Sequence, residues 1–236
     1  MDHRKWPIAR DAFAFFIPLA LLAGLVRKFF GRHLWIVPGA AAAFVLFFFR
    51  NPARRVSAKE RELLSPADGR VMSVEEIPEE TEFLLAPALK ISIFLSLFDV
   101  HINLSPVGGL VVHTRYQPGK FLPAYKPQAS TTNERHYLGL IADPGKANGV
   151  SSINGSDVND ETSGAADRIL LVQIVGMAAR RVRCWSKPGD RLEPGERFGL
   201  MKFGSCVELY VPASTTIFVK AGDKVKGGLT KIGRLP

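Results

Sequence analysis

One pair of residues stands out by its setting: Gly204-Ser205, held between the apolar segments GLMKF and VELYV. Taken alone, Gly-Ser reads as a tight connection in which glycine supplies a positive φ. It gains chemical interest only beside a base, because a serine hydroxyl is too weak an acid to attack unaided. Histidine is the side chain best able to take and return a proton near neutrality. His101 stands two residues after Asp99 in LFDVHINLSPV (97–107), His113 lies inside the apolar run GLVVHTRY, and His136 ends NERH. On that apolar run, His113 reads as a satisfied structural histidine. SPADGRV (65–71) supplies Asp68, and YQPGKFLPA (116–124) is followed by TTNERHY (131–137), which supplies Asn133 and Arg135. Arginine grips carboxylates and phosphates in a bidentate way, so this stretch reads either as an anion contact or as a solvated loop. Cys184 and Cys206 are the only cysteines. They form neither a disulfide framework nor a clustered zinc site, which points to a reducing compartment and to no metal.

The elements that must position these residues are strands. From about residue 51, short runs rich in β-branched and aromatic residues alternate with turn signals. GRVMSVEEI, LKISIFLSL, HINLSPV, GLVVHTRY, RILLVQIVG, RVRCWS, SCVELYVP and TIFVKA read as strands, separated by PADG, PVGG, DPGKANG, KPGD, EPGE and AGDKVKGG. Beyond residue 55 only MAAR hints at a helix. The predicted fold class is mainly β, a sandwich or partly open barrel over residues 51–236.

The first 50 residues have a different texture. AFAFFIPLALLAGLV (12–26) and LWIVPGAAAAFVLFFF (34–49) carry no charge, while Arg4, Lys5, Arg10, the loop RKFFGRH, Arg50, Arg54 and Arg55 flank them. Each run covers roughly 22–24 Å of a ~30 Å hydrocarbon core at about 1.5 Å per residue. Pro18 and Pro38 are expected to kink them. Two runs in series do not make one export signal, and phenylalanine and leucine on every helical face suit lipid better than a small domain's interior. The expectation is a membrane-anchoring helical hairpin over 1–50, both ends on the cytoplasmic side, either re-entrant or spanning twice. Its basic loop argues against the second form. The formal net charge of +9 calls for an acidic partner. The chain shows no nucleic-acid motif, and basic residues beside lipid-like runs account for much of the excess, so the expected partner is membrane rather than nucleic acid.

Asp68, Asp99 with His101, the 116–137 stretch and Gly204-Ser205 together resemble, in order and spacing, the motifs of the phosphatidylserine decarboxylases, in particular the shorter bacterial and archaeal-type members. The resemblance runs through most of residues 50–236. It implies that Ser205 attacks the carbonyl of Gly204, that the chain splits between them, and that the new terminal residue becomes a covalent pyruvoyl group. It further implies a Schiff base between that group and the serine headgroup of a phospholipid, which loses carbon dioxide to give phosphatidylethanolamine. His101 is then the expected base and proton donor, oriented by Asp68. Asn133, Arg135 and His136 are the expected headgroup contacts, and the two fragments are expected to stay together as a heterodimer.

Two departures bear on this. Many members read Leu-Gly-Ser-Thr where this chain has Phe203-Gly204-Ser205-Cys206, with Cys206 read as a buried filler or a weak contributor to processing. Longer members also carry a second histidine at the position of Leu104, so either His101 serves both reactions or another group replaces it. Two rival readings stand beside this one. A decarboxylase of archaeal-type serine ether lipids would share every catalytic residue. A non-enzymatic, membrane-bound lipid-binding β-domain would remain an intact chain.

Overall fold

The computed structural model describes residues 6–31, 33–126, 128–143, 167–177, 182–202 and 204–236. The expected turn DPGKANG, beyond Asp143, and most of MAAR lie outside them. The chain divides into two compact units, Met1–Arg54 and Arg55–Pro236.

The first unit is an apolar helix pair, α1 (Phe13–Phe30) and α2 (Ile36–Phe48). With the 3-10 turn Arg10–Ala12 before it, the first helix reaches 21 residues and is long and apolar enough to cross a membrane. It is longer than its uncharged run because it continues through Arg27 and Lys28, long side chains that a helix end accommodates readily. Pro18 lies inside α1, whereas Pro38 falls in the first turn of α2. There no backbone N–H is needed, so the kink expected at Pro38 has no cause. The hairpin's ends are tied by Ala9 N–H to the Phe49 carbonyl (2.9 Å) and by the Asn51 side chain to the Trp6 carbonyl (2.7 Å). Phe49 stacks on Phe15 with ring centres 5.9 Å apart. Most large apolar side chains of α1 remain exposed, among them Leu21, Leu25, Phe29 and Phe30.

The second unit is mainly β. Its central feature is an eight-stranded antiparallel sheet, curled into a half-barrel. In spatial order its strands are β13 (Lys224–Val225), β2 (Gly69–Glu80), β3 (Ala86–Leu95), β11 (Ser205–Pro212), β7 (Arg168–Ile174), β6 (Arg135–Ala142), β5 (Gly109–Gln117) and β9 (Arg191–Leu192). Two small sheets complete it: β4 (Ile102–Leu104), β10 (Arg197–Met201) and β8 (Val182–Cys184), and β1 (Glu62–Leu64), β14 (Lys231–Arg234) and β12 (Thr216–Ile217).

Strands with a period of two bury both faces here. Ile91, Ile93, Leu95, Leu138, Leu140, Ile169, Leu171, Val207, Leu209 and Val211 enter one core; Leu170, Val172, Ile174 and Cys206 enter another. The central strands therefore read as near-continuous apolar runs. β6 was not among the expected strands, because Gly139 interrupts it and glycine weakens a strand interior. The reason for Gly139 is packing: a Cβ there would stand 2.9 Å from His113 Cβ and 3.0 Å from the Phe83 ring. Beyond residue 55 the sequence also gave no sign of α3 (Ala129–Thr132), a single helical turn.

Candidate active site

A single row of the sheet ladder gathers the sequence motifs. Arg70 pairs with Phe94, Phe94 with Cys206, Cys206 with Ile174, Ile174 with Arg135, and Arg135 with Gln117. The connections that run past this row at one end of the sheet therefore include residues 65–68, 96–101, 118–126, 128–134 with α3, 175–177, 202 and 204. Stretches of chain up to about 140 residues apart thus meet because antiparallel register puts their strand ends side by side.

Ser205 is the first residue of β11, fully buried, and its Oγ lies 3.5 Å from the Lys202 carbonyl. Gly204 precedes it with φ +67°, a left-handed conformation that favours glycine. Its N–H donates to His101 Nε2 at 3.3 Å. His101 is itself fully buried, with Nδ1 3.0 Å from the Asp99 carbonyl. The two bonds together assign the tautomer: Nδ1 carries the proton and donates to Asp99, leaving the Nε2 lone pair directed at the Gly204-Ser205 segment. The Asp99 carboxylate accepts from the Ser96 N–H (2.8 Å) and hydroxyl (2.6 Å), closing a turn over residues 96–99.

The carbonyl of Gly204 has a place made for it. A Cβ on Gly176 would stand 1.8 Å from the Gly204 oxygen and 2.9 Å from its carbon. Only a residue without a side chain lets that carbonyl approach. Sequence reasoning missed Gly176, which closes the strand-like run RILLVQIVG and carries no motif of its own. A glycine directly after a strand was the one available signal, since such glycines mark close approach of another backbone.

The remaining predicted residues take varied places. Asp68 lies at the same end of the sheet, two residues before the row residue Arg70, and its Oδ1 accepts from the Gly227 N–H at 2.8 Å. Asn133 is fully buried: its Nδ2 donates to the carbonyls of Leu122 and Val175, both at 2.8 Å, and its Oδ1 accepts from Leu122 N–H at 2.9 Å. Its two amide hydrogens thus tie the loop at Leu122 to Val175, the residue before Gly176. Arg135, also buried, donates to the carbonyls of Ser130 and Thr131 at the end of α3. These bonds brace the loops around the site, while the buried Arg135 Nε has no hydrogen-bond partner among the described residues. His136 faces Gln173 across the ladder, and its buried Nδ1 has no protein partner. Burial, and then the nearby His113, hold its pKa below the ordinary histidine value. Burial and then Glu208 push the Cys206 thiol's pKa well up, so it remains a protonated filler. Leu104, where longer members carry a histidine, is a core side chain packed near Gly228.

On the other face of the sheet a cavity of about 280 Å³ opens beside Cys206. Lys90, Glu208, Ser92, Tyr125 and Lys126 are among its lining residues, and Lys90 pairs with Glu75 at 2.7 Å. Ala124 also lines it, 3.5 Å from the would-be Gly176 Cβ, which places the Gly204 carbonyl near the cavity wall. Among the described residues no group of three or more histidine, cysteine, aspartate or glutamate side chains could hold a metal ion.

The phosphatidylserine decarboxylase family model matches residues 41–233. Three relatives are each named phosphatidylserine decarboxylase proenzyme. That of Symbiobacterium thermophilum is 43% identical over 235 residues, covering 100% of this chain and 99% of its own. That of Carboxydothermus hydrogenoformans is 41% identical, covering 92% and 90%. That of Syntrophus aciditrophicus is 37% identical, covering 99% of both. The similarity extends past the motif region into the apolar N-terminal helices.

Proposed function

The chain belongs to the phosphatidylserine decarboxylase family, and from that membership we propose that it is a proenzyme that cuts itself between Gly204 and Ser205 and then converts phosphatidylserine to phosphatidylethanolamine. The observation that carries this reading is the bond from the Gly204 N–H to His101 Nε2 next to the buried Ser205, with the Gly204 carbonyl in the hollow at Gly176. In the first reaction His101 takes the Ser205 hydroxyl proton, and Oγ attacks the Gly204 carbonyl. The acyl group passes from nitrogen to oxygen. Loss of the Ser205 α-proton then expels the Gly204 carboxylate and severs the chain, leaving a dehydroalanine that water hydrolyses to the pyruvoyl group with release of ammonia. Gly204, in a conformation strained for other residues, and Gly176, which leaves room for the carbonyl, favour that geometry. Asp68 acts on the same end of the site as a positioning group.

The residue at position 205 fits a pyruvoyl group: it is buried, starts a central strand, and sits beside a histidine and close to an open cavity. Such a group supplies an electron sink for the bond that breaks when carbon dioxide leaves. The chain's own residues do the rest. His101 returns the proton to the decarboxylated carbon, and the cavity with Lys90, Lys126 and Glu208 receives a headgroup that carries both signs of charge. Residues 1–50 anchor the enzyme on the cytoplasmic side of the cell membrane, with residues 51–236 as the catalytic domain, and the two fragments persist as a heterodimer. Intact-mass analysis of the purified protein tests the reading. Two fragments meeting at Gly204 and Ser205, the smaller blocked to Edman sequencing, are expected. Ser205→Ala should give one uncut, inactive chain, and cleavage persisting in that variant would refute the assignment.

A further inference from the structure

The loops at the site end of the sheet carry large apolar side chains in the open. Phe98 is 71% exposed, Met177 64%, Tyr125 62% and Leu97 41%. Leu97 and Phe98 form the tip of the 96–99 turn, whose shape is set by the Asp99 carboxylate on Ser96 and by Asp99 N–H to the Ser96 carbonyl at 3.0 Å. A turn tip is ordinarily polar, and its own hydrogen bonds make this one a rigid display of two hydrophobic residues. Tyr125 and Lys126 stand at the rim of the cavity beside Cys206, and the exposed cations Lys120 and Lys126 share the same loop.

We propose that these loops form a second, independent membrane contact of the catalytic unit: the Leu97-Phe98 tip, Met177 and Tyr125 insert into the interfacial layer of an anionic bilayer, with Lys120 and Lys126 against its phosphates. The chemistry of the rim selects this partner. Aromatic and aliphatic side chains interleaved with lysine are the pattern of an interfacial contact. Tyr125 and Lys126 also line the cavity beside Cys206, so a lipid held at this contact would have its headgroup next to that cavity while its tails stay in the bilayer. The 96–99 turn also supplies the carbonyl that holds His101, so the inserting tip and the catalytic imidazole share one short segment.

This inference rests on the decarboxylase reading, and its test separates the two. The full-length Leu97→Ser/Phe98→Ser double variant and the Met177→Ser variant would be compared with wild type on vesicles containing phosphatidylserine and on a short-chain, monomeric phosphatidylserine. Self-cleavage and monomer turnover are expected to stay within about twofold, while kcat/KM on vesicles falls about tenfold for the double variant, the scale of losing one or two buried apolar side chains. In parallel, Phe98→Trp should add fluorescence that brominated-acyl lipids quench, beyond the quenching of wild type. Unchanged vesicle turnover, or no added quenching, overturns the contact. An equal fall on both substrates also overturns it, by making the tip a support for His101. Wild type inactive on both substrates overturns the decarboxylase reading itself.

Discussion

His101 and His113 are both half-hidden in sequence among apolar residues, and the structure gives them opposite surroundings. His113, on β5, lies 2.9 Å from the Glu82 carboxylate, which Arg115 also grips. Its ring stacks on Phe83 with centres 5.7 Å apart, over the gap left by Gly139. Burial raises the Glu82 pKa, but the bonds from Arg115 and His113 outweigh it, so the carboxylate is held below its ordinary value and stays charged. His101 sits on a loop, fully buried, with its ring nitrogens on the Asp99 carbonyl and the Gly204 N–H. Judged by a carboxylate partner alone, His113 would be taken for the acid–base residue. That carboxylate is already shared with a guanidinium and ties β5 to the loop after β2. His101 instead points Nε2 at the backbone of Gly204, beside the proposed cleavage point.

The widest gap between the two should appear on replacement. His101→Ala is expected to slow self-cleavage by about 10²–10⁴-fold, the usual cost of losing a general base, read from the appearance of two bands over time on a denaturing gel. Any fraction that matures should decarboxylate poorly, since the same imidazole is assigned both proton transfers. Normal maturation of that variant would collapse the comparison.

A smaller effect, about 10²-fold, is expected for Gly176→Ala, which would push the Gly204 carbonyl out of its hollow by more than an ångström. Circular dichroism should show the fold retained while cleavage lags. Should Gly176→Ala cleave at the wild-type rate, the hollow has no part in the reaction.

The smallest effect is expected for His113→Ala. Cleavage should proceed at the normal rate, while the loss of one partly exposed hydrogen bond to Glu82 and one ring contact lowers stability by about 1 kcal/mol. For a domain of this size that is about 2–4 °C in Tm, measurable by thermal denaturation. Arrested cleavage in His113→Ala would move the base from the loop to the strand.

The mainly β class and most central strands were legible because β-branched, two-sided apolar runs can be buried only inside a sheet. β10, β1 and β14 were too short to show periodicity, and β6 was disguised by Gly139, whose purpose lies on the neighbouring strand. Gly204-Ser205 and His101 stood out in sequence by type and motif, and the structure brings the Gly204 N–H to His101 Nε2. What sequence could not supply was the contact between Gly176 and Gly204, 28 positions apart, because register and not composition brings them together. Asn133 and Arg135 were legible as unusual polar residues, yet a free guanidinium and one folded onto its own helix end read alike in one dimension.

The position of β11 would give the proposed cut an unusual outcome. Its eight residues pair with β3 along their whole length and five of them with β7, in the middle of the largest sheet. The segment from Ser205 onward also supplies β13 to one edge of that sheet, and β12 and β14 to the small sheet they form with β1. A severed peptide bond at Gly204 would therefore release no separable tail. The small fragment would be interlocked like the middle stave of a cask, so dilution should not part the two pieces, and exchange with a differently labelled copy should wait on global unfolding.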